Sequence, residues 1–405
     1  MNVKIHRGAS EIGGSCVEVR SGGKSLLVDV GLPLETGAVP AALPDLAGSD
    51  DLLGVLISHG HPDHYGMAND LDPGTAIFMG EAGERILAAA AKHSRSRAPR
   101  ATSYLRDRSP IQIGPFRVTP YLVDHSAYDS YAFLIEAEGK RLFYSGDLRA
   151  HGRKPGTFRR LVDEPPTDLD AMLMEGTTVG REDPALPDEH SVEAQLCEAL
   201  QSTHAIGLAM YSPQNVDRLV SVFKAARGAG RELVLDLYAA EVVAAVGNRS
   251  IPQPGWEGIR VYVTRAQRAS VIASGDFSRI TDVRASRIFL SEMLQHPGEL
   301  VLTFRPSMVT ELGELLNDPE TLAAWLMWPG YLEKDGGSAA ESLRHLGIKP
   351  EVFHASGHAH VKDLRRLAVA MQPRRLVPIH TSDPEKYSKE FDRVERHPDG
   401  VWWNL

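Results

Sequence analysis

The sequence predicts an α/β protein with a large core and more than one domain. Three observations predict this class. The chain has 405 residues, 42% of them hydrophobic and 24% charged, which is ordinary for a soluble globular protein. In the first part of the chain, short apolar runs of the kind that form buried strands each end at polar residues. Beyond Glu175, strand-like and helix-like segments alternate, which is typical of a parallel sheet covered by helices.

The first part of the chain is predicted to be rich in strands. We predict strands at 25–29, 52–57, 115–123, 131–136, 140–144 and 170–175, and a helix at 80–92. A polar, proline-containing linker at 181–189 follows. Beyond it, helices are predicted at 191–201, 215–226 and 361–371, and strands at 205–210, 231–237, 350–354 and 375–380. Residues 252–278 show no pattern that assigns them.

The densest group of polar residues follows the predicted strand at 52–57. Its sequence is Ser-His-Gly-His-Pro-Asp-His, so that His59, His61, Asp63 and His64 fall within six positions. Imidazole nitrogens and a carboxylate are ligands for zinc, or for manganese where carboxylates dominate. The alternative is a polar loop with stray histidines, but four ligand-type residues at this density argue against it.

This H-x-H-x-D-H pattern resembles the metallo-β-lactamase superfamily, in which a distant histidine and a distant aspartate follow. His125 and Asp147 are at matching places, each after a predicted strand. Asp29 ends the strand predicted at 25–29 and matches the superfamily's first motif. We interpret it as a carboxylate that orients a ligand histidine.

Three further motifs resemble those of the β-CASP nucleases. Glu175 ends a strand like motif A, His358 lies in a Ser-Gly-His-Ala segment like motif B, and His380 ends a Pro-Ile-His segment like motif C. The resemblance implies a metallo-β-lactamase αββα sandwich with an inserted α/β β-CASP domain. The expected boundaries are 1–180 for the first part of the sandwich, 181–348 for the insert and 349–405 for the return.

The resemblance also implies the roles of these residues. His59, His61 and His125 would hold one divalent metal ion, Asp63, His64 and His380 a second, and Asp147 would bridge them. The metals, zinc with manganese as the alternative, would activate a water for attack on a phosphodiester. His358 would then protonate the leaving oxygen, supported by Glu175. Asp63 and Asp147 thus count among the catalytic residues.

The resemblance also implies a substrate pocket. Ser212, Asn215 and Arg218 resemble a phosphate-contacting segment of ribonuclease J, and Ser356 and Gly357 precede His358 in a loop whose backbone N–H groups could cradle a phosphate. We expect the active site to lie in a cleft between the sandwich and the insert. The alternative is that Ser212 and Asn215 simply cap the helix that follows them.

The expected function is cleavage of RNA by a compact ribonuclease J-like enzyme, as a 5′→3′ exonuclease, an endonuclease or both. A DNA nuclease of the same branch is the first alternative, although a histidine in motif C favours RNA. A small-molecule metallo-hydrolase would not need the insert. An inactive subunit would have lost metal ligands, whereas every expected ligand is present.

Composition limits the partners and the compartment. The formal net charge of −9 does not indicate general nucleic-acid binding, so a local basic groove must attract RNA. The two cysteines form no C-x-x-C motif, and no apolar run is long enough to span a bilayer, so we expect a cytoplasmic protein without a membrane partner. Ribonuclease J carries a further C-terminal domain that contributes to assembly, whereas this sequence ends at Leu405. A homodimer is therefore left open.

Overall fold

The computed structural model describes residues 1–34, 43–45, 49–94, 96–181, 187–334 and 338–405. The chain divides into two units. The first comprises Met1–Ala88, Ser96–Leu186 and Gly357–Leu405, and the second Ala89–Arg95 and Pro187–Ser356. Most of the linker predicted at 181–189 lies outside the described residues.

The first unit contains the strand-rich part of the chain. Its strands up to the insert are β1 (Asn2–Arg7), β2 (Cys16–Ser21), β3 (Lys24–Val28), β4 (Leu52–Leu56), β5 (Ile77–Gly80), β6 (Ser103–Leu105), β7 (Ile111–Ile113), β8 (Phe116–Val123), β9 (Ser130–Ala137), β10 (Lys140–Tyr144) and β11 (Ala171–Glu175). Its helices there are α1 (Pro62–Tyr65), α2 (Glu81–Ala91, which runs on into the second unit) and α3 (Pro155–Asp163).

The second unit is the predicted α/β insert. Its strands are β12 (Gly207–Met210), β13 (Glu232–Asp236), β14 (Ile259–Tyr262), β15 (Leu300–Thr303), β16 (Leu322–Trp325) and β17 (Pro350–Val352). Its helices are α4 (Glu189–Gln201), α5 (Val216–Gly228), α6 (Leu237–Ala245), α7 (Arg265–Ser274), α8 (Ser278–Thr281), α9 (Leu290–Met293), α10 (Val309–Leu312), α11 (Gly330–Lys334) and α12 (Ser338–His345). The chain then returns to the first unit as α13 (Val361–Met371), β18 (Leu376–Ile379), α14 (Tyr387–Glu390) and β19 (Trp402–Asn404).

Two sheets face each other in the first unit. Over the described residues, one has the order β19-β1-β2-β3-β4-β5-β6 and the other β18-β11-β10-β9-β8-β7. Strand β9 shows how the layers form, because its side chains alternate between the two faces. Phe133 and Ile135 enter the core between the sheets, whereas Ala132 and Leu134 pack toward α3 and α13. A third cluster, which includes Val55 and Leu87 of α2, covers the outer face of the first sheet. The unit is the predicted αββα sandwich.

The direction of the strands brings the candidate residues to one edge. Strands β10, β11 and β18 are mutually parallel, and β8 runs the same way because both it and β10 pair antiparallel with β9. The carboxyl ends of these four strands therefore meet at one edge of their sheet. His125, Asp147, Glu175 and His380 follow or end them. In the other sheet β3 and β4 are also parallel, so Asp29 and the His59 loop leave it at the same edge.

The second unit has a parallel sheet with the order β14-β13-β15-β12-β16-β17 across the described residues. Strand β17 covers most of the strand predicted at 350–354, but it pairs with β16 and not with a sheet of the sandwich. The insert consequently extends to residue 356, beyond the expected boundary at 348. The segment Ala89–Arg95 joins this unit through His93, which bonds to Glu241 and lies 3.0 Å from Arg279 Nη2.

Candidate metal centre

The loop after β4 carries the first four candidate ligands, and backbone hydrogen bonds fix its course. Helix α1 begins with Pro62, whose fixed φ and missing N–H suit the first helical position. This turn separates His59 and His61 from Asp63 and His64. The carbonyl of Asp63 accepts from Ser15 N (3.0 Å), and that of His64 accepts from Val30 N (2.8 Å). The loop is therefore held by the residue that precedes β2 and by a residue that follows β3.

Three histidines form the first group of ligand atoms. The Nε2 atoms of His59 and His125 each lie 3.1 Å from Nδ1 of His61. Two nitrogens bound tetrahedrally to one zinc at 2.0–2.1 Å would be about 3.3 Å apart. The three atoms thus already have nearly the spacing that one ion requires.

Asp63, His64 and His380 form the second group. Asp63 Oδ2 lies 3.9 Å from the Nε2 atoms of both histidines. Ligand atoms of these three residues all lie within 4.8 Å of one another. The spacing is looser than in the first group, and it suits an ion that draws the ligands inward.

Asp147 lies between the two groups. Its Oδ2 atom is 3.7 Å from His59 Nε2 and 3.8 Å from His125 Nε2 on one side, and 3.2 Å from His64 Nε2 and 3.6 Å from His380 Nε2 on the other. Its Oδ1 atom is buried without a hydrogen-bond partner in the described part of the chain, as is Nε2 of His380. Buried polar atoms are normally satisfied, so these atoms fit a site built for cations.

The protonation of the site also suits metal ions, which need neutral imidazoles. Burial, and then the neighbouring imidazole rings, hold the pKa values of His59 and His125 well below the usual range of histidine. Burial opposes ionisation of Asp147, but the surrounding histidines, His380 first, outweigh it and hold its pKa well below the usual range. His59 and His125 are therefore neutral donors beside a carboxylate at neutral pH. Burial would also lower the pKa of His64, but Asp147 and Asp29 outweigh it and raise that pKa well above the usual range, so His64 would have to release a proton to bind a metal.

Asp29, which the sequence analysis interpreted as a carboxylate that orients a ligand histidine, bonds to His64 and to the residue before His59. Its carboxylate is fully buried and accepts from His64 Nδ1 (2.8 Å), Ser58 N (2.7 Å), Ser58 Oγ (2.8 Å) and the Tyr144 hydroxyl (2.8 Å). A bond at Nδ1 fixes the ring so that Nε2 of His64 faces Asp147. Ser58 and Tyr144 were missed by the sequence analysis, although each is next to a motif, Ser58 before His59 and Tyr144 three residues before Asp147.

Two other ligand histidines are held in the same way. Nδ1 of His125 lies 2.6 Å from the carbonyl oxygen of Gly357, which accepts its proton. A side chain at Gly357 would place its Cβ 2.6 Å from Ser126 Oγ and 3.4 Å from His125, so glycine permits this close approach. Nδ1 of His380 lies 2.9 Å from Ser15 Oγ. Gly357 is thus placed beside the ligands, which its sequence motif alone did not show.

His358 and Glu175 lie together at the rim of the centre. His358 Nδ1 is 3.3 Å from Glu175 Oε2 and 3.7 Å from Asp147 Oδ2. Burial would lower the pKa of His358, but the carboxylates of Glu175 and Asp147 outweigh it and raise the pKa to about 9. The side chain of His358 is 21% exposed and that of Asp63 13%, whereas His59, His64 and His125 are completely covered. The centre therefore opens on the side of His358 and Asp63.

Asn215 and Arg218 of the second unit, which were expected to bind substrate, have structural roles. Asn215 is the N-cap of α5, and its side chain accepts from Arg218 N (3.0 Å), which is the alternative that the sequence left open. The Arg218 side chain is 1% exposed and forms two 3.1 Å bonds to Glu189, and further bonds to the carbonyls of Leu326 and Ala355. Its guanidinium therefore holds the second unit together and is not presented to a phosphate. The roles of Ser212 and Ser356 remain predictions.

Comparison with known proteins agrees with this site. Residues 26–211 match the family described as the β-lactamase superfamily domain. Among curated proteins, ribonuclease J of Sinorhizobium meliloti is 24% identical over 381 residues, 88% of this chain and 63% of that protein. Ribonuclease J of Corynebacterium glutamicum is 23% identical over 92% of this chain and 52% of its own length. The chain thus spans about half to two thirds of the length of these relatives.

A solved structure matches over the full length. It is that of a protein of unknown function from Enterococcus faecalis V583, with a TM-score of 0.79 and 20% identity over 100% of this chain and 99% of the other. At that identity the match concerns the fold alone. No helix among the described residues is long and apolar enough to cross a membrane.

The sandwich, the ligand loop and the family match over residues 26–211 define a β-lactamase superfamily domain within this chain. Over most of its sequence the chain is also similar to ribonuclease J.

Proposed function

We propose that this chain is a metal-dependent phosphodiesterase that hydrolyses RNA. The observation that carries the proposal is the arrangement of seven ligand-type side chains as two groups of three with Asp147 between them. This donor set fits two divalent cations, zinc or manganese, better than one, since a single tetrahedral ion uses four ligands. The relatives named ribonuclease J support RNA as the substrate.

The chain's own residues would divide the work as follows. When bound, two divalent cations would supply a nucleophilic hydroxide at neutral pH and neutralise charge on the phosphate. Asp147 and the two groups of ligands would determine where the two cations, and so their positive charges, lie. His358, on the open side, would donate a proton to the departing oxygen, which is a poor leaving group without one. Cations near Asp147 would offset that carboxylate, so Glu175 is the partner that keeps His358 protonated.

The substrate can be tested directly with the metal-loaded protein. End-labelled 5′-monophosphate and 5′-triphosphate RNAs and matching DNAs would be incubated with it, and the products resolved by length. We expect RNA to be cleaved, with mononucleotides from the 5′ end indicating an exonuclease and internal fragments an endonuclease. Cleavage of DNA alone would establish the DNA nuclease. Absence of phosphodiester cleavage, with hydrolysis of a lactone or thioester, would overturn the proposal.

The role of His358 needs substrates with different leaving groups. His358→Ala should lower RNA cleavage roughly a hundredfold to ten-thousandfold, because the ribose alkoxide needs a proton. It should change hydrolysis of bis(p-nitrophenyl) phosphate little, since p-nitrophenolate leaves without one. Metal content should equal that of the unaltered protein. An equal loss with both substrates would show that His358 positions or binds and is not the general acid.

A further inference from the structure

The second unit contains a cavity that is not part of the candidate metal centre. The cavity has a volume of about 240 Å³ and lies at the carboxyl end of β14 and the start of α7. Ligands of open parallel sheets bind outside the carboxyl ends of the strands. The residues that line it include charged and aromatic side chains: Tyr262, Arg265, Arg268, Arg287, Phe289 and Glu311.

The cavity carries an excess of positive charge. Arg265, Arg268 and Arg287 have no carboxylate at ion-pair distance in the described ranges, and Nε of Arg287 is buried there without a hydrogen-bond partner. The one carboxylate of the lining, Glu311, is already bound by the Tyr262 hydroxyl (2.6 Å) and by Arg265 N (3.0 Å). Three guanidinium groups thus face one engaged carboxylate, in a chain with a net charge of −9.

An exposed aromatic ring accompanies the arginines. Phe289 is 51% exposed, and the guanidinium carbon of Arg287 lies 4.8 Å from the centre of its ring. Its position is fixed, because Ile288 N donates to Val261 O (3.1 Å) and Phe289 N donates to Glu292 (2.9 Å). An aromatic ring beside guanidinium groups is the arrangement on which proteins stack the bases of single strands while binding their phosphates.

We propose that this cavity, the Arg287 pocket, binds one segment of single-stranded RNA. The proposal rests on the proposed function and adds a second binding site for the same substrate. Pockets for whole small ligands have volumes of roughly 300–1,000 Å³, so a cavity of about 240 Å³ suits one nucleotide of a longer strand. A base would stack on Phe289, and the adjoining phosphates would accept from Arg265 and Arg287. An acidic peptide would bind to the arginines but would have no group that stacks on the exposed ring of Phe289.

The test measures binding and catalysis separately. Binding of a fluorescent, phosphorothioate-linked oligouridylate, which resists hydrolysis, would be followed by anisotropy at several salt concentrations with the metal-loaded protein. Phe289→Ala should weaken binding roughly fivefold or more, as expected when one base no longer stacks. Arg265→Ala with Arg287→Ala should reduce the slope of log affinity against log salt by about 0.7 for each phosphate that the variant no longer neutralises.

Two controls make the result specific. Arg249→Ala removes an exposed arginine of the same unit that does not line the pocket, and should change binding little. Because Arg287 is partly buried, Arg265→Ala with Arg268→Ala provides a second pair on the exposed face of α7. Hydrolysis of bis(p-nitrophenyl) phosphate should be unchanged in every pocket variant, which shows that the metal centre is intact.

The outcomes separate the pocket from the proposed function. Weaker RNA binding in the pocket variants supports the pocket, even if the protein cleaves no RNA and the proposed function fails. Unchanged RNA binding overturns the pocket, even if RNA is cleaved. Competition by polyglutamate as effective as that by RNA would also overturn it, because the pocket would then be a general anion site.

Discussion

Replacing Asp29 by Asn tests how far the metal centre depends on a residue that touches no metal. The carboxylate accepts four hydrogen bonds, one at Oδ1 and three at Oδ2. The amide of Asn has the same shape, but an NH₂ group replaces one of the two oxygens. In either orientation of the amide, this NH₂ group faces a hydrogen-bond donor that the carboxylate had accepted from. The less harmful orientation faces Ser58 N, and leaving that buried N–H unsatisfied costs about 1–3 kcal/mol. Asn also tolerates the positive φ of 59° at this position.

The effect on metal affinity is expected to be larger at one group of ligands. His64 loses a charged partner at Nδ1, and loss of such a partner typically weakens metal binding tenfold to a hundredfold, about 1.4–2.7 kcal/mol. Chelator competition would measure each dissociation constant. We expect the weaker constant to belong to the group of Asp63, His64 and His380.

Asp129→Asn is the matched control. Asp129 also has a positive φ, 65°, and accepts from Gly83 N (3.0 Å) and the Tyr131 hydroxyl (2.8 Å), but it bonds to none of the candidate ligands. It should lower the melting temperature without changing metal affinity. Wild-type metal affinity in Asp29→Asn, or an equal loss in Asp129→Asn, would refute the reasoning.

Three further predictions concern the same structure. Elemental analysis should find about two metal ions per chain and about one in His380→Ala, since the first group of ligands is untouched; equal content in both proteins would contradict the assignment. Gly31→Ala would place a Cβ 1.7 Å from the carbonyl oxygen of a ligand-loop residue and should lower stability by at least about 1–3 kcal/mol in denaturant unfolding, whereas Gly74→Ala, with no atom within 4 Å, should not. Burial opposes ionisation of Glu241, but hydrogen bonds from its histidine and arginine partners outweigh it and lower its pKa. The contribution of Glu241 to the free energy of unfolding should therefore be complete above about pH 4.3 and fall at lower pH. A difference in unfolding free energy between the wild type and Glu241→Gln that stays constant down to pH 3 would exclude this.

The sequence was most informative where ligands follow strands of strong pattern. Strand β10 is found at its predicted bounds, and the four candidate ligands predicted between 59 and 64 lie in the loop and short helix after β4. Here a local motif and the rule that parallel strands end at one edge are sufficient. Tyr144 and Ser15 were missed because their roles depend on partners more than a hundred residues away, Asp29 and His380.

The second unit was less predictable for physical reasons. Helix α7 has one buried residue, Val271, so it lacks the apolar stripe by which a helix is recognised. Arg218 was misassigned because the sequence shows a charged residue in a helix but not its partner. Glu189 is 29 positions earlier, and only the packing of α4 on α5 brings the two together in the interior. A buried guanidinium is retained only when paired, so burial decides its role.

Backbone conformation adds a point that no residue pattern contained. Asp29 and His380 each have positive φ, 59° and 52°, although neither is glycine. Such conformations cost about 1–3 kcal/mol each and persist only where the surroundings fix them. The fixing bonds are present, from Asp29 N to Leu56 O (2.8 Å) and from His380 N to Gly8 O (2.7 Å). Glycine at either position would relieve the backbone but remove the carboxylate or the imidazole. Six other non-glycine residues of the described chain also have positive φ, but at Asp29 and His380 the same residue supplies a side chain to the centre, so glycine could not replace it there.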